Sequence, residues 1–90
     1  MAYMTNMDLQ ALQMFARELE TFKNNINGHC KTLESGIVDC QKFMLDDNSK
    51  QALRNSEQLC HEIRESLQPT QLLLEKVNRI IQIMNNMPTM

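Results

Sequence analysis

Apolar side chains recur every seven residues along the first part of the chain, and this repeat constrains the fold more than any other feature. One row consists of Leu12, Leu19, Ile26 and Leu33. A neighbouring row, interrupted only by Lys23, consists of Leu9, Ala16, Cys30 and Ile37, and the stripe is widened on one side by Phe15 and Phe22. Spacings of three, four and seven residues place side chains on one face of an α-helix. The pattern predicts an amphipathic helix over about residues 8–35.

The ends of this helix are indicated by short polar and glycine-containing motifs. Thr5 and Asp8 have the spacing of a capping box, with aspartate in the place usually taken by glutamate or glutamine. A turn is predicted at the four residues Gly36, Ile37, Val38 and Asp39. Gly36 can adopt the left-handed conformation that closes a helix, and Asp39 can cap the next one.

A second helix is predicted over about residues 40–84, again from rows of seven-residue spacing. One row is Leu53, Cys60, Leu67, Leu74 and Ile81; another is Ala52, Leu59, Ser66, Leu73 and Ile80; beside them lie Ile63, Val77 and Met84. Both rows keep their phase across Pro69, which predicts a kink near residue 69 rather than a turn. Residues 46–49 could instead form a loop, with Asn48 and Gln51 capping a new helix. The tail, residues 85–90, contains Pro88 and is expected to fray.

These elements predict an all-α fold, a two-helix antiparallel hairpin that forms a single domain over residues 1–90. Two helices cannot cover an apolar stripe three rows wide on each, and an uncovered patch of this kind marks a binding site. We therefore expect the hairpin to complete a four-helix bundle, either by dimerisation or by binding a partner. The side chains expected to seal the hairpin and to contact the partner are Leu12, Phe15, Leu19, Phe22, Ile26, Leu33, Leu59, Ile63, Leu67, Leu74, Val77 and Ile81.

Charge and composition argue against several classes of function. Nine basic residues stand against eleven acidic ones, a formal charge of −2, whereas a nucleic-acid binder would show a basic patch. No segment approaches the roughly 18 apolar residues that insert into a membrane, and Thr5, Asn6 and Asp8 interrupt any apolar core of an N-terminal signal peptide. Three cysteines do not make a disulfide framework, so we expect synthesis in the reducing cytoplasm.

The histidines and cysteines are the candidates for a metal or catalytic site. His29-Cys30 and Cys60-His61 contain the usual ligands of zinc. In a hairpin centred near Val38, the two pairs would lie about 20 Å apart along the helices. Adjacent helical residues also point about 100° apart, which makes them poor joint ligands. We therefore expect a non-enzymatic protein with no catalytic residues, no metal and no cofactor.

The segment from Leu33 to Phe43 resembles the turn of the WXG-motif family, the small early-secreted-antigen-like proteins of type VII secretion in Gram-positive bacteria. In that family a Trp-x-Gly turn, or Trp-x-Asp in divergent members, joins two helices. Here Ile37 occupies the tryptophan position, Val38 the variable position and Asp39 the last position. The chain length and the periodic first helix are also similar to this family.

The resemblance implies a protein partner. In that family one member of each dimer bears an export signal, Tyr-x-x-x-Asp/Glu, after the second helix, whereas the single tyrosine here is Tyr3. The chain therefore resembles the accessory members, which pair with the helical N-terminal region of a larger effector, such as an LXG-type toxin. This implies a partner or targeting chaperone, cytoplasmic on synthesis and exported by type VII secretion in complex with the effector. The alternatives are a self-associating bundle subunit of a structural or tethering assembly, and a redox- or metal-sensing protein that uses its cysteines.

Overall fold

A computed structural model describes residues 5–87, and every regular element in that range is a helix. In chain order these are α1 (Asn6–Cys40), α2 (Asp47–Ser66) and α3 (Gln68–Asn85). Helix α1 packs against both α2 and α3, which follow one another as a single bent helix, so the molecule is a helical hairpin. Its extents are 69 × 19 × 16 Å and its Cα radius of gyration is 20.1 Å. A compact domain of this length would have a radius of gyration of about 12 Å.

The start of α1 confirms the capping box predicted from the sequence. The backbone N–H of Thr5 donates to the carboxylate of Asp8 over 2.7 Å, and the N–H of Asp8 donates to the Thr5 hydroxyl over 3.2 Å. These reciprocal bonds satisfy two of the amides that a helix N-terminus leaves without partners. Helix α1 consequently begins at Asn6, two residues before the predicted start.

The turn predicted at Gly36, Ile37, Val38 and Asp39 is wrong. All four residues lie in α1, which ends at Cys40, and the connection to α2 is the loop 41–46. Gly36 has a right-handed helical backbone, and Ile37 is only 7% exposed. Burying an isoleucine contributes about 1.5–3 kcal/mol, which exceeds the cost of about 0.8–1 kcal/mol for glycine within a helix. Extending α1 to bury Ile37 is therefore favourable despite Gly36.

The second helix begins later than predicted, at Asp47 instead of near residue 40. Asp46 is its N-cap, and the carboxylate of Asp46 accepts a hydrogen bond from the N–H of Ser49 over 3.0 Å. Of the residues 46–49 considered as a loop, only Asp46 lies in the loop, and the other three are helical. The N-cap is Asp46, two residues before the predicted cap Asn48. Asp39 does not cap a helix; it forms an exposed ion pair with Lys42 at 3.7 Å.

The bend predicted in the second helix is confirmed, but it lies at Leu67, two residues before Pro69. Proline has no N–H to donate to the carbonyl of Glu65, four residues earlier. The N–H of Leu67 instead faces the carbonyls of Arg64 and Glu65, which tightens the last turn of α2. Because Leu67 stays in the right-handed region, α3 continues from α2 after a change of direction. The helix ends at Asn85, and the predicted tail beyond residue 87 lies outside the described residues.

The buried residues form a thin seam between α1 and the bent second helix. Within residues 5–87 the buried side chains are Ala16, Cys30, Ile37, Cys60, Leu67, Leu74 and Val77. Ala16 packs with Leu74 and Val77, and the half-buried Leu12, Leu19 and Ile81 lie against this cluster. Several of these side chains are small, which lets the helices approach closely but leaves little apolar volume in the core. The hairpin therefore has one buried row for each helix and no second layer.

Replacement of Gly36 distinguishes a helix from a turn at this position. No atom lies within 4 Å of a Cβ placed on Gly36, so alanine fits without a clash. In a helix, Gly36→Ala should raise the free energy of unfolding by about 0.4–1 kcal/mol, measured by urea denaturation of the isolated chain. Gly28→Ala, at another open helical position, is the matched control and should give a similar gain. A destabilised Gly36→Ala beside a stabilised Gly28→Ala would show that the chain turns at Gly36.

Acidification should weaken the start of α2. The hydrogen bonds from Ser49 hold the pKa of Asp46 below its ordinary value of 3.8. The stabilising contribution of Asp46 is therefore complete above that ordinary value and is lost as the pH falls through the lowered pKa of the folded chain. Asp46→Ala should lower the melting temperature at neutral pH, whereas Asp46→Asn keeps a capping oxygen and should retain the cap. If the asparagine variant showed the same acid sensitivity as the parent chain, another group would be responsible.

Candidate protein interface

One side of the hairpin is closed by polar contacts between the helices. Glu34 of α1 and Arg64 of α2 form an ion pair, in which Nη1 of Arg64 donates to Oε2 of Glu34 over 2.6 Å. This hydrogen bond raises the pKa of Arg64 and keeps it charged. Further along, Nζ of Lys23 donates to Oε1 of Gln71 in α3 over 2.8 Å and lies 3.3 Å from the carboxylate of Glu20. These side chains satisfy one another's hydrogen-bonding groups, so this side of the hairpin presents a polar surface.

The other side of the hairpin is apolar. In two antiparallel right-handed helices, residues displaced from the contact row in the same rotational sense lie on the same side of the pair. Glu20, Glu34, Arg64 and Gln71 each lie four residues after a member of the buried rows, which displaces them in one sense. The apolar rows lie one or four residues before such a member, which displaces them in the other sense. Lys23 lies in the buried row itself and extends to the polar side. We call this second side the open face and define it by Phe15, Phe22, Ile26, Leu33, Leu59, Ile63, Leu73 and Ile80.

The predicted interface residues fall into two groups. Those in the seam or half-buried against it are Leu12, Leu19, Ile26, Ile63, Leu67, Leu74, Val77 and Ile81. Phe15 and Phe22 are exposed on the open face, as are Leu33 at 57% and Leu59 at 55% exposure. The prediction that Leu33 and Leu59 seal the hairpin is therefore wrong. Leu59 lies about 100° around the helix from the buried Cys60, and near Leu33 the seam passes through Cys30 and Ile37.

The division into two groups changes the role of Leu67 and Leu74. Both are buried within the hairpin, so they hold the two helices together and are not available to a partner. A polar residue at Leu74 would disrupt the hairpin itself, which makes it unsuitable for testing association. The residues that can contact another protein without loss of the fold are the exposed members of the open face.

Two features of the structure were not predicted from the sequence. Phe43 and Leu45 are exposed in the loop between α1 and α2, at one end of the hairpin. Their exposure could not be foreseen while residues 40–46 were assigned to a helix. The contact between Cys30 and Cys60 was also missed, although both residues had been placed in buried rows. Because the turn was predicted too early in the chain, the predicted alignment of the Cys30 row with the Cys60 row was shifted along the helices.

The separation of about 20 Å predicted between the two Cys-His pairs is wrong, because Sγ of Cys30 lies 3.9 Å from the carbonyl oxygen of Cys60. The adjacent histidines do not join them: His29 is exposed, and Nε2 of His61 lies 3.0 Å from the carboxylate of Glu65. Among the described residues, no group of three or more histidine, cysteine, aspartate and glutamate side chains is placed to hold a metal ion.

The accessible surface of the chain is large for its mass. It measures 7378 Å² for 10.5 kDa, whereas a compact monomer of that mass would expose about 5,400 Å². The excess of about 2,000 Å² is larger than the roughly 800 Å² that each partner buries in a standard protein–protein interface. No helix within residues 5–87 is both long and apolar enough to cross a membrane.

Removal of the two exposed phenylalanines should reduce the affinity of the open face for apolar probes. We expect the variant Phe15→Ser/Phe22→Ser to bind less of a dye that fluoresces on apolar surfaces, with its stability lowered by only about 1 kcal/mol per site because about half of each ring is exposed. Met14→Ser replaces an exposed apolar residue on the outer side of α1, which faces away from the second helix, and is the control. Equal dye binding by the double variant and the parent chain would contradict the assignment of this face.

Comparison with known proteins adds no further evidence about function. No protein-family model, no curated protein and no solved structure matches the chain. A proposal about function therefore depends on the two unlike sides of the hairpin and on the residues that form them.

Proposed function

We propose that this chain is a non-enzymatic helical binding protein, which packs its open face against two further helices and so completes a four-helix bundle. The supporting observation is the asymmetry of the hairpin. One side is closed by Glu34–Arg64 and Lys23–Gln71, and the other presents an apolar surface with no covering element among the described residues. Antiparallel helices with such a stripe are the usual components of four-helix bundles.

The energetics of association support this role. Phe15, Phe22, Leu33 and Leu59 are 44–57% exposed, so burial of the surface that remains exposed would together contribute about 3–6 kcal/mol. The half-buried Ile26, Ile63 and Ile80 add to this term, and the partner's own apolar side chains contribute a similar one. The loss of translational and rotational freedom on association costs about 4–15 kcal/mol. Apolar burial on both sides of the contact is therefore comparable with the cost of association.

We further propose that the partner is the helical N-terminal region of a type VII secreted effector of the LXG type, and that this chain is its targeting chaperone. The support is the hairpin architecture and the resemblance of the periodic first helix to that of WXG-like proteins. The turn motif contributes nothing to this support, because Ile37 and Asp39 lie within α1. In this arrangement the effector would be bound along the open face and exported with the chain.

Co-expression tests the effector as partner. The full chain is produced alone and with the N-terminal region of an LXG-type effector encoded in the same genome, and masses are measured by light scattering under reducing conditions. A defined 1:1 or 2:1 complex would support the proposal. A homodimer that does not bind the effector would show that a second copy completes the bundle and would contradict the chaperone role. A genome that encodes no LXG-type effector would also contradict this role.

Substitution of Phe22 tests the surface that the partner contacts. Phe22 is 52% exposed on the open face, so Phe22→Glu should keep the circular dichroism spectrum of the isolated chain and lower its melting temperature by no more than about 8 °C. A carboxylate placed in an apolar interface loses its hydration without a counter-charge, and we expect at least about a tenfold loss of affinity. Met14→Glu introduces the same charge on the outer side of α1, which faces away from the second helix, and should bind normally. Full binding by Phe22→Glu would place the partner elsewhere.

The alternative function, a self-associating subunit of a structural or tethering assembly, is favoured by one observation. Phe43 and Leu45 are exposed at the loop end of the hairpin, where they could contact the next copy end to end. Long polymers of the purified chain would support this alternative. Loss of the polymers in a Phe43→Ser variant would locate the contact.

A further inference from the structure

The two buried cysteines meet across the seam between α1 and α2. Cys30 is 2% exposed and Cys60 is 1% exposed, and both are free thiols. The thiol of Cys30 donates to the backbone carbonyl oxygen of Cys60, with Sγ and the oxygen 3.9 Å apart. Each cysteine occupies the central row of its helix, so neither has to leave the seam to approach the other.

We infer that Cys30 and Cys60 form an oxidation-dependent disulfide that joins α1 to α2 covalently. Disulfides require Cα atoms about 4.4–6.8 Å apart, a spacing that small residues facing each other in a close helix–helix contact provide. Cys40 is the only other cysteine in the sequence. It lies ten residues beyond Cys30, about 15 Å along α1, so it cannot compete for Cys60 within the folded hairpin. This inference is independent of the proposed function.

The oxidant in this reaction is a low-molecular-weight disulfide. One cysteine loses its proton, and its sulfur attacks the disulfide of the oxidant, forming a mixed disulfide and releasing one thiol. The second cysteine also loses its proton and attacks the protein sulfur of the mixed disulfide, which releases the second thiol. In total the two protein thiols lose two protons and two electrons, and the oxidant is reduced to two thiols.

The surroundings of the pair indicate that the bond forms slowly in the intact hairpin. Burial raises the pKa of the Cys60 thiol, and so do the neighbouring Cys30 and Glu34, whereas Arg64 lowers it. The thiolate is the attacking species, so a raised pKa slows exchange. The seam must also open for an oxidant to reach the sulfurs. We therefore expect the reaction to follow transient separation of α1 and α2, and the disulfide to resist reduction once the seam closes.

The position of the bond defines its effect. It would close a long loop between Cys30 and Cys60, and a cross-link of this kind stabilises a fold chiefly by restricting the unfolded chain. Because both cysteines lie in the seam, the open face keeps its exposed side chains. The oxidised hairpin would thus be more stable and still able to bind.

The test is oxidation of the full-length chain with oxidised glutathione, followed by intact mass and peptide mapping. We expect a monomer that has lost two hydrogen atoms, a Cys30–Cys60 linked peptide, and an upward shift of the melting temperature that dithiothreitol reverses. Cys40→Ala should behave like the parent chain, and Cys30→Ala should lose both the bond and the shift.

Other products would overturn the inference. These are a bond to Cys40, a cross-link between two chains, glutathione on Cys30 and Cys60 without an internal bond, or a bond that lowers the melting temperature. Peptide mapping of the parent chain distinguishes these products from the Cys30–Cys60 bond even if Cys30→Ala does not fold.

Discussion

The contact between the buried rows of α1 and the bent second helix determines the rest of the structure. These rows supply the whole buried interior of the described chain, and it is one side chain deep. A single seam holds two long helices together only if each residue in it is small or apolar enough to allow close approach. The same narrowness leaves the neighbouring rows uncovered. The stability of the hairpin and the availability of the open face therefore have a common origin.

The features predicted correctly from the sequence are those that depend on local spacing. The seven-residue rows identified both helices, the capping box at Thr5 and Asp8 indicated the first helix start, and Pro69 indicated the bend. Each of these signals acts within a turn or two of helix, where residue type and backbone geometry are directly coupled. The prediction of an all-helical hairpin succeeded for this reason.

The position of the connection could not be derived in the same way. Gly36 favours a turn locally, but the burial of Ile37 against the second helix favours continued helix, and this contact becomes known only when the helices are paired. The error then spread to the candidate site, because it misplaced Cys60 relative to Cys30 along the helices. Local preference was outweighed by tertiary burial, which single-residue propensities do not include.

Lys23 also helps to determine how α1 aligns along the second helix. A pattern that repeats every seven residues is nearly unchanged when one helix slides along the other by whole repeats, so apolar contacts alone do not select one alignment. Lys23 breaks this translational symmetry. In the observed alignment its ammonium group meets Gln71 and Glu20. If the second helix were slid by one repeat, Arg64 would take the place of Gln71, and Lys23 would meet a like charge across the seam. One charged residue in the repeat thus favours a single alignment of the helices, and it destabilises misaligned hairpins that form during folding.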